Sequence, residues 1–396
     1  MSIYLMCLYN GTPIFNKKRG DNIENLPFST TASFSSVHLF CRTQNVELSA
    51  TTFGDDGLIS WKEFESLLFV GISTNLTEKV LKSLIEKSFQ AMVLHIGINE
   101  IKAAKNVDRL KRDLKSSFFQ MIEKLMEYAE NDLLDFNESI LCHEAAVIHE
   151  KLISFSELSL ASQYCFLLSK NRIICATDAF YDLHVDDRKL LILLLTQSNI
   201  LQKDIPVYLP HKSPTIAYRL IGLPLIQGIS IGLLCGQQPT YDELEILSQE
   251  FWQDSYDLLL SAEISNPRNF PPSIELDASV LGFLLINKFT KKYVISRNIQ
   301  QVANKRNSHR MDIIRTFFHQ AVDCDIFQNS SFYDSTSENI TTNEHFYVSD
   351  YHKCHALIQN YNILCVLYLS VIPTYTMRFI TQELLNKLLG DKSIEW

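Results

Sequence analysis

The residues that most resemble a chemical site lie between positions 54 and 68, where a Gly-Asp-Asp-Gly turn is followed by an apolar residue and an acid, as in the second half of an EF-hand. In such a loop Gly57 would make the sharp turn and Glu63 would bind calcium through both carboxylate oxygens. However, Thr52 and Gly54 occupy the positions of the first two carboxylates. Residues 46–53 also alternate like a strand, so we predict a plain β-hairpin.

Histidines suggest two other metal sites, and neither has suitable spacing. His143 and His149 are six residues apart, whereas two imidazoles that share zinc on one helix are four apart. In a strand, His352 and Cys354 would point to one face and His355 to the other. We therefore predict no resident metal.

The sequence shows none of the common motifs of reaction centres. It contains no glycine-rich phosphate loop, no GxSxG elbow and no Walker lysine. The lone histidines His38, His95 and His211 are interpreted as packed or surface residues. We predict no catalytic residue, no cofactor and no enzymatic activity. A triad assembled across the sequence is the alternative that this reasoning leaves open.

A basic stripe is predicted on one helix, opposite an apolar face. Its members are Lys102, Lys105, Arg109, Arg112 and Lys115. One interpretation is a solvated face, with Asp108 and Arg112 as an i,i+4 ion pair. The other is a docking strip for an anionic lipid or an acidic partner. The net charge of −9 favours the solvated face.

Composition limits the class of protein. A chain of 396 residues exceeds one ordinary hydrophobic core, so two or three domains are expected. The excess of acidic residues, 45 against 36 basic ones, disfavours a nucleic-acid binder. The nine cysteines include no CxxC pair, which is typical of reduced thiols in the cytoplasm. No signal peptide is expected, and the apolar run 220–236 contains Pro224 and Gly228, which favour two strands around a turn.

Hydrophobic periodicity describes one order of elements three times: a strand pair, a helix, three strands and a helix. We predict an α/β (α+β) fold of three consecutive domains, each an antiparallel sheet flanked by helices. This layout resembles longin and roadblock domains, and we call the three domains longin-like. The first occupies 1–135, a linker helix and the second occupy 136–265, and the third occupies 273–396. Residues 266–272 read as a linker and 328–343 as a mobile loop.

Local signals predict where several helices begin and end. Asn75 can cap a helix that Gly97 ends, and Thr240 with Glu243 forms a capping box. A leucine-rich helix over 186–198 is expected to be buried on most sides.

The segment Asp204–Thr215 is unusual because Pro206, Pro210 and Pro214 recur every four residues. Proline keeps the backbone extended and has no N–H to donate, so the segment is predicted to be an edge strand that leads into a turn. This segment closely resembles the Fuzzy planar cell polarity protein family. Three more stretches carry the same resemblance: 27–40, 89–114 and 219–236. Over the third repeat, the resemblance is limited to the order of the elements and the spacing of the apolar residues.

The resemblance implies a non-catalytic planar cell polarity effector of three longin domains that supports ciliogenesis and intraflagellar transport. Its implied partners are an Inturned-like tri-longin subunit, a WD-repeat subunit of a CPLANE-type complex, a Rab-type small GTPase and a phosphoinositide membrane. The complex would bind the GTPase or activate it by nucleotide exchange, in the cytoplasm, at the cytoskeleton and the cilium basal body. The alternative is a structural adaptor that recruits basal-body or membrane-traffic proteins without exchange activity.

The resemblance also implies, by analogy, that the first longin domains of two subunits hold the GTPase together. The candidate contact residues are Ser33, Ser36, Val37, Phe40, Lys105, Arg109 and Arg112. The small residues of the first helix could allow a partner helix to approach closely. The alternative for this helix is ordinary packing on its own sheet.

Overall fold

The computed structural model describes residues 2–20, 26–54, 57–74, 76–103, 107–114, 116–130, 133–159, 162–197, 204–297, 304–323, 343–390, 394 and 396. The chain forms two compact units. The first consists of residues 1–135, 183–221 and 234–237, and the second of residues 136–182, 222–233 and 238–396. No helix within the described ranges combines the length and the apolar character that crossing a bilayer requires.

The first unit contains an antiparallel five-stranded sheet. Its strands are β1 (Ile3–Tyr9), β2 (Thr12–Arg19), β3 (Ala50–Phe53), β4 (Gly57–Phe64) and β5 (Leu67–Thr74). The order across the sheet is β2-β1-β5-β4-β3. The accompanying helices are α1 (Phe28–Thr43), α2 (Glu78–Ile96), α3 (Ile98–Ala103), α4 (Val107–Asp113) and α5 (Ser116–Glu130).

Side-chain alternation along these strands places α1 and α2 on opposite faces of the sheet. Tyr4 and Met6 point to one face, where they join a buried cluster against which Phe34 of α1 packs. Gly71 belongs to the other face, because a Cβ there would lie 2.8 Å from Leu81 Cδ1 of α2. The sheet is therefore the middle layer between α1 and α2.

The turn and cap signals of the first repeat are largely confirmed. Asn10 and Gly11 join β1 to β2 with φ of 46° and 79°, as a tight hairpin requires. Gly97 ends α2 with φ of 82°. The N-cap is Thr77, whose hydroxyl accepts a bond from the N–H three residues later, and the predicted cap Asn75 lies outside the described residues.

The EF-hand-like stretch is a hairpin, as its alternation predicted. β3 and β4 pair antiparallel, and Phe53 lies opposite Gly57 at the turn. Asp55 and Asp56 lie outside the described residues. Glu63, which would be the bidentate calcium ligand of an EF-hand, lies within β4.

The second sheet has the order β8-β7-β11-β10-β9. Its strands are β7 (Cys165–Ser169), β8 (Arg172–Ala176), β9 (Asp204–Leu209), β10 (Ser213–Ile226) and β11 (Ile229–Cys235). The helices of this part are α6 (Ala145–Ser159), α7 (Asp178–Tyr181), α8 (Val185–Leu195), α9 (Tyr241–Trp252) and α10 (Tyr256–Ile264). The proline-bearing β9 is at the sheet edge, and every residue of α8 after the first is buried, both as predicted. The capping box of α9 is confirmed.

The third sheet has six strands, in the order β14-β15-β16-β12-β13-β6. Its strands are β6 (Asn137–Glu138), β12 (Val280–Asn287), β13 (Lys292–Ile295), β14 (Asn343–Val348), β15 (His352–Gln359) and β16 (Asn362–Leu369), and its helices are α11 (Asn304–Asp323) and α12 (Thr374–Leu389). β6 comes from the region before α6 and pairs parallel with β13. Residues 328–342 of the predicted loop lie outside the described residues.

Residues 266–272, which were predicted to be a linker, pack tightly within the second unit. Asn266 and Asn269 are buried, and Phe270 is inaccessible to solvent. The buried Arg172 donates to the backbone oxygen of Asn266 at 2.8 Å, and the amide of Asn269 donates to the oxygen of Ile295 at 2.9 Å. The segment is packed because its polar side chains pair with backbone groups that would otherwise be buried without partners.

Candidate docking site on the first helix

The helix α1 has an inverted distribution of apolar and polar residues. The residues that it buries against the sheet include Thr31, Ser35 and His38. Large apolar side chains point to solvent instead, and Phe40 remains 66% exposed and Val37 48% exposed. Phe28 and Leu39 are also exposed. An exposed apolar patch beside polar residues is typical of a protein-interaction surface.

Phe34 and an ion pair between Arg42 and Glu63 hold α1 in place. The ring of Phe34 packs against Trp61 with centroids 6.2 Å apart. Arg42 donates two bonds to the carboxylate of Glu63, at 2.7 and 2.8 Å, and His38 Nε2 lies 3.8 Å from the same carboxylate. Burial lowers the pKa of His38, so its imidazole is neutral at pH 7. The outer residues of α1 are therefore presented on a fixed helix.

The hydroxyl groups of Ser33 and Ser36 on α1 donate hydrogen bonds within the helix itself. Ser33 donates its hydroxyl to Ser29 O at 2.8 Å, and Ser36 donates to Ala32 O at 3.1 Å. Such bonds to the preceding turn satisfy the hydroxyl hydrogen and leave a small, smooth surface. A second helix can approach closely at such small residues.

Four of the candidate residues share one face of α1, which we call the α1 face. It consists of Ser33, Ser36, Val37 and Phe40, which are spaced at i, i+3, i+4 and i+7. All four are exposed. The helix packs on its own sheet through the opposite side, so these four residues are available to a partner.

The basic candidates are not on α1. The stripe predicted on one helix is divided between α3 and α4, and Lys105 and Lys115 lie outside the described residues. Arg109 forms an ion pair with Glu100 at 2.6 Å, and Arg112 Nε donates to Asp108 O at 3.3 Å. Lys102 lies 3.3 Å from Glu65. Glu100 and Glu65 therefore offset the positive charges of Arg109 and Lys102.

The remaining histidine candidates are mostly in packed positions. His143 precedes α6 and lies 2.5 Å from Ser273 Oγ. His95 Nδ1 lies 2.9 Å from Ala91 O, a helix-internal contact. His355 Nδ1 lies 2.7 Å from Thr381 Oγ1 in the core of the third sheet.

His211 belongs to a group that sequence reasoning missed. It lies beside His184 and Asp186, and one ligand atom from each of the three lies within 4.8 Å of the others. His211 is 25 residues beyond Asp186, so no short motif connects them. The sequence shows only that His184 comes two residues before Asp186 at the start of a predicted helix.

Comparison with known proteins identifies the domains. Three family models, described as the first, second and third longin domains of FUZ, MON1 and HPS1, match residues 3–125, 160–253 and 279–392. The chain is 26% identical to Protein fuzzy homolog of Xenopus tropicalis over 98% of both chains. It is 29% identical to Protein fuzzy homolog of Homo sapiens, over 80% of this chain and 78% of the human one.

The chain belongs to the Fuzzy family. The three longin matches confirm the predicted fold class, while the exact domain limits stay a prediction. The longin-domain Fuzzy family is not a known catalytic family. The α1 face lies within the first longin domain of this Fuzzy-family chain.

Proposed function

We propose that this Fuzzy-family chain is a non-catalytic planar cell polarity effector and ciliogenesis subunit that acts by docking. It pairs with an Inturned-like tri-longin subunit in a CPLANE-type complex, together with a WD-repeat subunit. The complex binds a Rab-type small GTPase, activates it by nucleotide exchange and supports intraflagellar transport. The chain works in the cytoplasm, at the cytoskeleton and the cilium basal body, and a phosphoinositide membrane is a further partner.

The observation that carries this proposal is the exposed α1 face, with Val37 and Phe40 beside Ser33 and Ser36. The helix is anchored by Phe34 and Arg42, and large parts of the Val37 and Phe40 side chains remain exposed. A partner helix packed on them would remove apolar surface from water, worth about 25 cal/mol for each Å² buried. We assign this face to a helix of the partner's first longin domain.

Nucleotide exchange is compatible with the absence of a catalytic motif in the sequence. An exchange factor forms no covalent bond with its substrate. It needs a surface that binds the nucleotide-free GTPase more tightly than the nucleotide-bound form, because only a difference in affinity shifts the populations. Two longin domains held together by the α1 face supply a composite surface of this kind.

Co-purification with an Inturned-like partner tests the proposal. In the full chain, Ser33→Phe with Ser36→Phe places two large rings where a partner helix has to approach. We expect this variant to lose the partner, and Ile246→Ser, which changes another exposed apolar helix residue, to retain it. Full retention of the partner by the Ser33→Phe, Ser36→Phe variant would overturn the assignment.

Charge reversal tests the basic candidates separately. Arg109→Glu with Arg112→Glu should weaken GTPase capture by the assembled complex and leave pairing with the Inturned-like subunit intact, because both arginines lie on α4. Unchanged capture would remove these arginines from the site without affecting the α1 face.

The second candidate function is a structural adaptor without exchange activity. It is favoured by a further set of exposed apolar side chains around β16 and α12, which offers another docking surface: Tyr351, Val371, Tyr375 and Phe379. Release of a fluorescent nucleotide from a candidate Rab-type GTPase separates the two functions. Faster release with the heterodimer supports exchange, and an unchanged rate supports the adaptor.

A further inference from the structure

Two histidines and an aspartate converge in the first unit, away from α1. His184 immediately precedes α8, Asp186 is in the first turn of α8, and His211 is in the turn between β9 and β10. The two imidazole rings stack with centroids 3.7 Å apart and an interplanar angle of 23°, so one ring has to turn before both can bind one ion in their ring planes. His184 Nδ1 accepts from the Asp186 N–H at 3.3 Å and lies 3.7 Å from Asp186 Oδ2. One ligand atom from each residue lies within 4.8 Å of the other two.

The hydrogen bonds of His211 prepare one ring nitrogen to bind a metal. Its Nδ1 lies 2.9 Å from a carboxylate oxygen of the fully buried Asp187, and its backbone N–H donates to the same carboxylate at 3.3 Å. The contact to Asp187 assigns the proton to Nδ1. In the neutral ring, Nε2 carries the lone pair, and it lies 3.3 Å from the amide nitrogen of Gln90, which can donate to it. A carboxylate behind a histidine is the usual support of a histidine metal ligand.

The carboxylates around these ligand residues favour the binding of a cation. Asp135, Asp186 and Asp187 bring three carboxylates to this region, and the buried Lys87 pairs with two of them. Lys87 Nζ lies 2.9 Å from Oδ1 of Asp186, which leaves Oδ2 directed toward His184. The ammonium therefore engages one oxygen of Asp186 and a metal can take the other.

We propose that His184, Asp186 and His211 bind a divalent transition metal, with zinc as the best match. Two imidazoles and one carboxylate suit zinc far better than magnesium or calcium, which prefer oxygen ligands alone. Zinc bonds of about 2.0–2.1 Å in a tetrahedron bring ligand atoms to within about 3.4 Å of one another, so one imidazole turns out of the stack and the β9–β10 turn closes on α8. A water molecule fills the fourth position. The ion ties the turn to α8.

Calorimetric titration of the metal-free full chain with zinc tests the proposal. We expect one ion per chain, and at least 100-fold weaker binding in His184→Ala and in His211→Ala. The side chain of His184 is 47% exposed, but its Nδ1 caps α8 by accepting from the Asp186 N–H, so circular dichroism must first show that the His184→Ala chain is folded. Asp187→Asn should weaken binding about 10- to 100-fold, as changes behind a metal ligand do. His143→Ala is the matched control and should bind like the unmodified chain.

Cobalt provides a second readout that identifies the ligands. Co²⁺ in a tetrahedral site of nitrogen and oxygen ligands should give visible ligand-field bands without the near-ultraviolet bands of thiolate ligands. Binding that survives in both histidine variants, or cobalt bands that show thiolate ligation by one of the cysteines, would overturn the assignment. The absence of stoichiometric binding to the unmodified chain would do the same.

Discussion

The buried His355 should make the third domain sensitive to acid. Its imidazole is inaccessible to solvent on β15, between the hydroxyl of Thr381 and the ring of Phe346, whose centroid is 4.3 Å away. Burial and the charge of Arg378 lower the pKa of His355 to about 4. Glu344 lies 3.9 Å from Nε2 but is paired with Arg378 at 2.7 Å, so it offers little compensation for an imidazolium.

The direction and size of the effect follow from proton linkage. The folded state holds His355 neutral down to about pH 4, whereas the unfolded chain takes up the proton at the ordinary pKa of 6.5. The contribution of His355 to stability is therefore complete above pH 6.5 and is lost as the pH falls toward 4. At 1.36 kcal/mol for each pKa unit, the full loss is about 3 kcal/mol.

Hydrogen–deuterium exchange of the full chain, corrected for the intrinsic rate at each pH, measures this loss in β15 itself. His355→Asn keeps a polar atom near Thr381 and removes the titrating group. We expect its opening free energy in β15 to fall less between pH 6.5 and 4.5 than that of the unmodified chain. The control His143→Asn should keep the original dependence. An equal fall in His355→Asn and the unmodified chain would refute the reasoning.

Three further predictions concern stability and are measured by urea or thermal unfolding of the full chain. Gly71→Ala should lower the free energy of unfolding by about 1–3 kcal/mol, because the new methyl group would lie 2.8 Å from Leu81 Cδ1. An unchanged unfolding midpoint would contradict the close packing of β5 on α2. Thr240→Ala should cost about 1 kcal/mol by removing the capping box of α9, and no loss would mean that the cap is dispensable. Lys87→Met should lower the free energy of unfolding by about 3–5 kcal/mol because it leaves two carboxylates without their cation. Lys82→Met, which breaks an exposed i,i+4 ion pair, should lower it by less than about 1 kcal/mol. Similar losses in the two variants would contradict the role of burial.

Much of the fold could be predicted because its signals are local. The Asn10–Gly11 turn, the end of α2 at Gly97 and the capping box at Thr240 each depend on a few adjacent residues. The burial of α8 follows from its run of leucines. These features need no knowledge of the rest of the chain.

The features that were missed depend on distant partners. β6 is only two residues long, too short to show a period, and it exists because β13 pairs with it. Asn266 and Asn269 look like turn residues, and only the position of Arg172 makes them part of a buried network. Long-range pairing of this kind leaves no pattern in a single sequence.

The candidate sites also combine features that depend on neighbouring residues with features that depend on distant ones. Ser33, Ser36, Val37 and Phe40 could be placed on one helical face from their spacing, but the sequence left open whether that face packs on the sheet. The structure resolves this point, because α1 uses its opposite side for packing. The approach of His211 to α8 is set by the β9–β10 turn and was not visible in the spacing.

The central claim is that the chain works by docking through the α1 face, and the affinity for a purified Inturned-like partner tests it most directly. Val37→Ser with Phe40→Ser removes the apolar surface of this face while keeping the helix and its anchor Phe34. Apolar residues at the centre of an interface typically contribute about 2–4 kcal/mol, so we predict affinity at least 30-fold weaker with unchanged thermal stability. Equal affinity of the variant and the unmodified chain would contradict the account.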